Sequence, residues 1–327
     1  MRKIEASLIV TYRCTNKCQM CNIWKFPTNI EDEFKPSLLE KLPKLSFCNI
    51  TGGEPFLRDD LEEIVNIVKR KARRIVISTN GYLVNKILDL AKKNRDIGIR
   101  VSLEGLPEVN DELRGVKGSF EHGLRSILGL KELGLKDIGF AITVSDRNIK
   151  DLEELYRFSK AMRLEFATAV VHNSYYFHKY DNKLHKQGEA VKGFQNVVKD
   201  LLESKRIKNW FRAYFNHGLI NYIQQEPRLL PCTAATLTFF LDPRGEVMPC
   251  NGLEEGLWLE SVGNLHEQSF EELWFSAKAR KIRDKVRRCP KNCWMIGTVA
   301  PAMKKNILKI ASWVVRKRLL LMFKVLN

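Results

Sequence analysis

No uninterrupted apolar run in the 327 residues approaches the roughly 20 that a bilayer-spanning helix requires. Nor does an apolar leader precede the first cysteine: the chain opens Met1-Arg2-Lys3-Ile4-Glu5, without the hydrophobic segment of a signal peptide. Acidic residues are in short supply, 38 Asp and Glu against 55 Lys and Arg, and the net charge of +17 points to anionic partners rather than to any fold. No zinc-finger, RRM or other nucleic-acid module is visible. At 44% hydrophobic and 28% charged, the composition is that of a globular protein, long enough for one large α/β domain or that domain plus an appendage. Eight cysteines without a secretion signal indicate a reducing, cytoplasmic setting and metal ligation rather than disulfides.

The cysteines are not scattered. Cys14-Thr-Asn-Lys-Cys18-Gln-Met-Cys21 places three thiols on one loop. A closed tetrahedral site needs four ligands, and a [4Fe-4S] cube needs one thiolate per iron. Three cysteines therefore either make part of a zinc site or leave one iron open to a ligand. The loop follows Glu5 to Thr11, a β-branched apolar run that reads as a strand. Further strands are expected at Ser46–Thr51, Arg74–Ser78, Ile99–Leu103, Ile138–Val144 and Glu165–Val171. Between them lie helical patterns at Asp59–Lys71, Leu83–Lys93, Ser119–Leu133 and Ile149–Ala161, with a short helix at Pro36–Leu42 and a long one near Glu189–Glu203. Six strand–helix alternations predict parallel pairing through right-handed crossovers, with functional residues past the strand C-termini. Periodicity alone does not separate a partial barrel from a doubly wound sheet.

Gly52-Gly53-Glu54-Pro55 follows the second strand. Its glycines allow close backbone approach, and Pro55 stiffens the exit. Thr79-Asn80-Gly81 and Ser102-Leu103-Glu104-Gly105 follow the third and fourth. Taken with Cys-x3-Cys-x2-Cys after the first strand, these segments resemble the signature of the radical S-adenosylmethionine (radical SAM) superfamily; Met20 departs from the aromatic residue common there. The resemblance implies a partial (β/α)6 TIM-like barrel with an open side. It also implies a [4Fe-4S] cluster on Cys14, Cys18 and Cys21 whose free iron chelates SAM, and reductive cleavage to a 5′-deoxyadenosyl radical that abstracts a substrate hydrogen. By the same resemblance Gly52, Gly53, Glu54, Pro55, Asn80 and Ser102 contact SAM, and Arg114 or Arg125 pairs with its carboxylate. An electron donor such as a flavodoxin or ferredoxin is implied too. Glu104 and Asp111 are either polar anchors for substrate or solvated loop carboxylates.

A second set follows: Cys232, Cys250 at the end of a β-hairpin (Asp242-Pro-Arg-Gly245), Cys289 and Cys293. This resembles the SPASM/twitch extension of radical SAM enzymes, in the shorter twitch form, and implies a second, auxiliary [4Fe-4S] cluster; zinc is the other occupant of four cysteines. Cys48 reads as a core residue. The segment His172–Tyr180, rich in aromatics, either lines the substrate mouth or packs against the appended part. The expected organisation is a barrel over 1–225, a small cluster domain over 226–297 and a basic amphipathic C-terminal helix over 298–327. Lys305, Lys309, Ser312 and Arg316 share one stripe of that helix, and Ile307, Ile310, Ala311, Val314 and Leu321 another, with Trp313 and Phe323 beside it. The helix packs on the barrel, touches the inner face of a membrane peripherally, or meets nucleic acid.

The expectation is a radical SAM oxidoreductase or modifying enzyme acting on an organic substrate, sugar, lipid-linked or peptide. The alternative of another class is a metal-stabilised nucleic-acid-binding protein, motivated by the charge and the thiols.

Overall fold

The computed structural model describes residues 4–252 and 260–325, the side chains of 323–325 excepted. Strand–helix alternation runs through β1 (Ile4–Ile9), β2 (Leu45–Thr51), α1 (Leu61–Lys71), β3 (Ile75–Thr79), α2 (Val84–Lys93) and β4 (Gly98–Ser102). It continues with α3 (Pro107–Arg114), α4 (Ser119–Glu132), β5 (Ile138–Val144), α5 (Asp151–Ala161) and β6 (Glu165–Val170). The helical pair α6 (Gln187–Glu203) and α7 (Ile207–Ile223) precedes β7 (Thr238–Leu241), β8 (Glu246–Met248) and β9 (Gly263–Asn264). Four helices end the chain: α8 (Phe270–Phe275), α9 (Ala277–Arg287), α10 (Ile296–Lys305) and α11 (Ile307–Val325).

The strands form one sheet in the order β6-β5-β4-β3-β2-β1-β7-β8-β9. Neighbours from β1 to β6 pair in parallel. The connecting helices bury apolar stripes such as Ile64, Val65 and Val68 of α1 against it. Strands covered on both faces should read as near-continuous apolar runs, and β1 is buried at all six positions. Ile50, Ile77, Val101 and Phe140, one from each of the next four strands, are fully buried. Cys48 lies in that core with its thiol pushed up by burial, as the sequence indicates.

The C-terminal part joins the sheet: β7 pairs in parallel with β1 (Ala6 opposite Phe239), and β8 and β9 extend it as an antiparallel meander. One sequence expectation changes: the basic tail is two helices, broken at Asn306, and only part of its expected apolar stripe faces inward, with Ile307 and Ala311 exposed and Leu321 half-buried. Ile310, Trp313 and Val314 are buried, with the Trp313 ring stacked on His217 of α7 at 4.8 Å. Phe323, expected beside the same stripe, has its side chain outside the described residues.

Candidate active site at the strand ends

Parallel strands bring their carboxyl ends to one rim, and the loops there are hydrogen-bonded to one another before any ligand is considered. Gly53 and Glu54 donate their backbone N–H to the carbonyls of Thr11 and Arg13, both at 2.8 Å. A Cβ on Gly53 would meet the Arg13 carbonyl oxygen at 2.2 Å, so the glycine is required by the approach of this loop to the cysteine loop. Glu54 is fully buried and its carboxylate accepts from Thr79 Oγ1 (2.8 Å), Asn80 N (2.7 Å) and Phe56 N (3.2 Å). Burial raises its pKa, and those donors oppose the rise. Its side chain thus locks the end of β2 to the end of β3, while Pro55 opens the short turn Pro55–Leu57 behind it.

Each cysteine of the first set is partly buried. Burial pushes the thiols of Cys14 and Cys21 up to about 12 and raises that of Cys18 as well. Without a bound cation such thiols stay protonated; a metal centre would hold them as thiolates. Donors converge on the sulfurs. Asn16 N lies 3.5 Å and Asn80 Nδ2 3.9 Å from Cys14 Sγ, and Arg114 Nη1 lies 3.6 Å from Cys18 Sγ. Asn80 also donates to Thr15 Oγ1 at 2.8 Å. The loop is clamped to the C-terminus of α3 by Lys17 N to Arg114 O and Gln19 N to Leu113 O, both 2.9 Å. Gly115 caps that helix at φ 65°, in van der Waals conflict with Lys17 had it a Cβ.

The structure separates the two arginines. Arg114 is buried, with Nη2 at 3.2 Å from Glu104 Oε1, and its Nε and Nη2 have no hydrogen-bond partner among the described residues. Buried guanidinium donors left open in this way fit an anion of carboxylate geometry. Arg125 lies on the exposed face of α4, paired with Glu121 at 2.5 Å, and does not join the rim. Glu104 and Asp111 are both engaged within the protein. Glu104 is buried, accepts from Thr143 N at 2.6 Å and supports Arg114; Asp111 accepts from Gly118 N (2.5 Å) and Phe120 N (2.8 Å) at the start of α4. Ser102 ends β4, half-buried, two residues before Glu104.

The second set gathers before β7 and past the ends of β8 and α9. Cys232 precedes β7, Cys250 follows β8, and Cys289 and Cys293 follow α9. Burial raises the Cys250 thiol, and the other three sulfurs are near enough to add to the rise. Arg228 Nη1 lies 3.4 Å from Cys293 Sγ and also donates to the Cys293 carbonyl; its guanidinium sits over the Trp294 ring at 5.6 Å. Among the described residues, no three Cys, His, Asp or Glu side chains converge on a point that a single metal ion would occupy. A cube with one iron beneath each sulfur spreads its ligands more widely than one tetrahedral zinc does.

A small apolar cluster joins the two sets. Tyr12, Tyr176 and Phe240, with Ile9 and Ile23, pack against Cys14 and Cys21 on one side and Cys250 on the other. Tyr176 donates its hydroxyl to the Gly52 carbonyl at 2.7 Å. A cavity of about 230 Å³ opens among Tyr12, Tyr176, Phe240, Met248, Asp242 and Cys250. Burial raises the Asp242 carboxyl to about 6. The rim beyond is aromatic, with Phe26 stacked on His178 at 4.5 Å. A larger crevice of about 850 Å³, lined by ion-paired Arg13, Glu33, Arg58 and Asp60, has no cysteine in its wall.

Sequence reasoning missed three of these features. Glu33 anchors Arg13 at 2.8 Å and takes the Thr28 hydroxyl at 2.6 Å, fixing the backbone that enters the cysteine loop; the arginine directly before Cys14 was the available signal. Arg228 stands four residues before Cys232, too far for a local pattern to find. The aromatic segment after β6 was seen, but not its contact with both cysteine sets.

A parallel half barrel with two cysteine sets at its mouth defines an iron–sulfur protein of the α/β-barrel class. A family model described as "Radical SAM superfamily" matches residues 8–159, and one described as "Iron-sulfur cluster-binding domain" (SPASM) matches residues 232–295. The chain thus carries a radical SAM domain over residues 8–159 and a SPASM domain over residues 232–295. The first domain implies a [4Fe-4S] cluster and SAM, and the second implies auxiliary iron–sulfur clusters.

Fe-coproporphyrin III synthase of Methanosarcina barkeri is 34% identical over 156 residues, covering 45% of this chain and 38% of that protein. The antilisterial bacteriocin subtilosin biosynthesis protein AlbA of Bacillus subtilis is 26% identical over 290 residues, covering 85% of this chain and 61% of AlbA. The chain thus spans less than two thirds of either relative. Streptococcus suis SuiB shares the fold, with TM-scores of 0.63 for its SAM complex and 0.65 for its complex with precursor peptide SuiA. Identity is 17% and 18%, over 86% of this chain and 68% and 66% of SuiB.

Proposed function

We propose that this enzyme abstracts a hydrogen from one side chain of a peptide, with SAM as the radical source and the SPASM site taking part in the oxidation that follows. The observation that carries the reading is the apolar cluster touching Cys14, Cys21 and Cys250 beside a cavity of about 230 Å³. Small-molecule pockets commonly run to about 300–1,000 Å³. A cavity below that range suits one side chain or sugar ring and is too small for a macrocycle. A peptide presenting a single residue meets that limit, and the similarity to AlbA and SuiB points the same way.

In this reading Cys14, Cys18 and Cys21 hold the SAM cluster, and Cys232, Cys250, Cys289 and Cys293 hold one auxiliary cluster. The barrel occupies about residues 1–225 and the cluster-binding part 226–297. Bound at the first site, the reduced cluster and SAM supply the hydrogen-abstracting radical. The protein does the rest. Arg114, braced by Glu104, receives the SAM carboxylate; Asn80 orients Cys14 and Thr15; the Gly52–Gly53 backbone and Ser102 border the bound SAM. Tyr12, Tyr176 and Phe240 exclude water from the space between the sites. A flavodoxin or ferredoxin supplies the electron.

The test is anaerobic reconstitution with iron and sulfide, reduction by dithionite, and assay for 5′-deoxyadenosine with a library of short peptides. Deoxyadenosine release stimulated by particular peptides, with a mass change in those peptides, supports the reading. SAM cleavage stimulated by sugars or lipid-linked glycans and by no peptide would overturn the substrate class. No cleavage under any condition would overturn the reaction.

A further inference from the structure

Eleven Lys and Arg, and no Asp or Glu, lie between residues 285 and 327, so most of the net charge of +17 is carried by the last part of the chain. Within it, α11 is docked by one face. Ile310, Trp313 and Val314 are buried, Lys309 Nζ donates to the Leu229 carbonyl at 2.9 Å, and the Arg318 guanidinium lies over the Trp210 ring at 4.4 Å. A helix packed on a globular body by its apolar stripe ordinarily turns polar residues to water. This one does not. Leu308 is 84% exposed, Val315 58%, Leu319 45% and Met322 55%. At 3.6 residues per turn these four fall within one narrow stripe, roughly opposite the buried one. Exposed Arg316 and Lys309 flank it on one side and half-exposed Arg318 on the other.

An outward apolar stripe edged by cations, on the most basic part of a basic protein, matches a lipid surface with anionic headgroups. The leucines enter the headgroup–acyl boundary while Lys and Arg stay at phosphate level. Among the described residues no helix is long and apolar enough to cross a membrane, so the geometry is that of a helix lying on the surface. We infer that α11 seats the enzyme on an anionic lipid surface through Leu308, Val315, Leu319 and Met322. This inference is independent of the substrate assigned above, and it uses a different stripe from the one expected from the sequence, of which Ile310 and Val314 are buried against the body.

The test is flotation of the reconstituted full chain with vesicles of phosphatidylcholine alone or with 30 mol% phosphatidylglycerol. The expected result is binding to the phosphatidylglycerol vesicles, little to the neutral ones, and a loss on raising salt from about 0.1 to about 0.5 M. Leu308→Ser/Leu319→Ser, both at exposed positions, is expected to cut binding at least tenfold with an unchanged melting temperature. Lys309→Gln/Arg316→Gln should weaken binding and flatten its salt dependence. No binding by the wild-type chain, or binding untouched by the serine pair, overturns the inference. So does sedimentation velocity showing a dimer that the serine pair dissociates while vesicles stay bare, which would give the stripe to a second copy.

Discussion

Arg114 points Nη1 at the sulfur of Cys18 from 3.6 Å while its carbonyl takes the N–H of Lys17, so one residue grips the cysteine loop by both side chain and backbone. Of the side chain's other donors, Nη2 is ion-paired with Glu104 and Nε is open. Arg114→Gln is therefore expected to weaken SAM binding to the reconstituted protein by about tenfold or more, the loss of one charge-assisted pair. Arg125→Gln, on the exposed face of α4, should leave it unchanged. Equilibrium dialysis with labelled SAM, on samples matched for iron, separates the two. Equal losses would remove Arg114 from the SAM site.

Iron counts are expected to divide the cysteines into two sites. Cys14→Ala/Cys18→Ala/Cys21→Ala is expected to lower iron from about eight to about four per chain, and Cys232→Ala/Cys250→Ala to do the same from the other side. Only the first should lose the spectral change on adding SAM. A chain that retains all its iron after either substitution would break the assignment of that set.

Glu54 is satisfied by three donors inside the protein. Glu54→Ala leaves the N–H of Phe56 and Asn80 and the Thr79 hydroxyl without their acceptor, an expected cost of about 2–4 kcal/mol in urea denaturation. Gly53→Ala should be at least as damaging, because its Cβ would meet backbone that cannot swing aside.

Burial pulls His217 down to about 4, and Lys317 adds to the shift. The unfolded imidazole titrates near 6.5, so stability that depends on neutral His217 is fully present above about pH 6.5 and lost as the pH falls toward 4. The ring stacks on Trp313, which makes the docking of α11 acid-sensitive. The melting temperature should fall across that window, less steeply in His217→Gln. Parallel pH profiles for the two proteins would refute the coupling.

At the second site Arg228 places a positive charge 3.4 Å from Cys293 Sγ. A cluster there becomes more negative on reduction, so the guanidinium favours the reduced state. Arg228→Gln should lower the midpoint potential of that cluster in an EPR-monitored titration, with Arg228→Lys in between. An unchanged potential would leave Arg228 as a clamp on the Cys293 carbonyl alone.

The barrel was legible because each β/α unit writes its period locally: Ile138–Val144 is a strand in both readings, and the other strand boundaries differ by a residue or two. The cysteine loop and the glycine loop stood out by residue type. What sequence could not show depends on contacts between distant segments. Glu104 reads as a loop carboxylate until α3 folds back and brings Arg114 to it. The strand Thr238–Leu241 is only four residues long and looks like part of a separate hairpin, since nothing local says that it pairs with β1. In α11 the sequence carries two apolar stripes, and only the packing of Trp313 on His217 decides which is covered.

The place of β7 beside β1 has a consequence for how the protein is made. The strand that leads into Cys14 is synthesised before either of its partners, and its second edge stays open until a partner more than two hundred residues downstream has been made. An unpaired apolar edge held open for that interval is a hazard for aggregation. The cysteine loop around Cys14, Cys18 and Cys21 is hydrogen-bonded to residues as far along the chain as Phe177 and Asn182, whereas the second set waits for Cys293. Iron can therefore reach the two sites in sequence during translation, the N-terminal one first, and an early cluster would brace the nascent barrel before its last strand arrives.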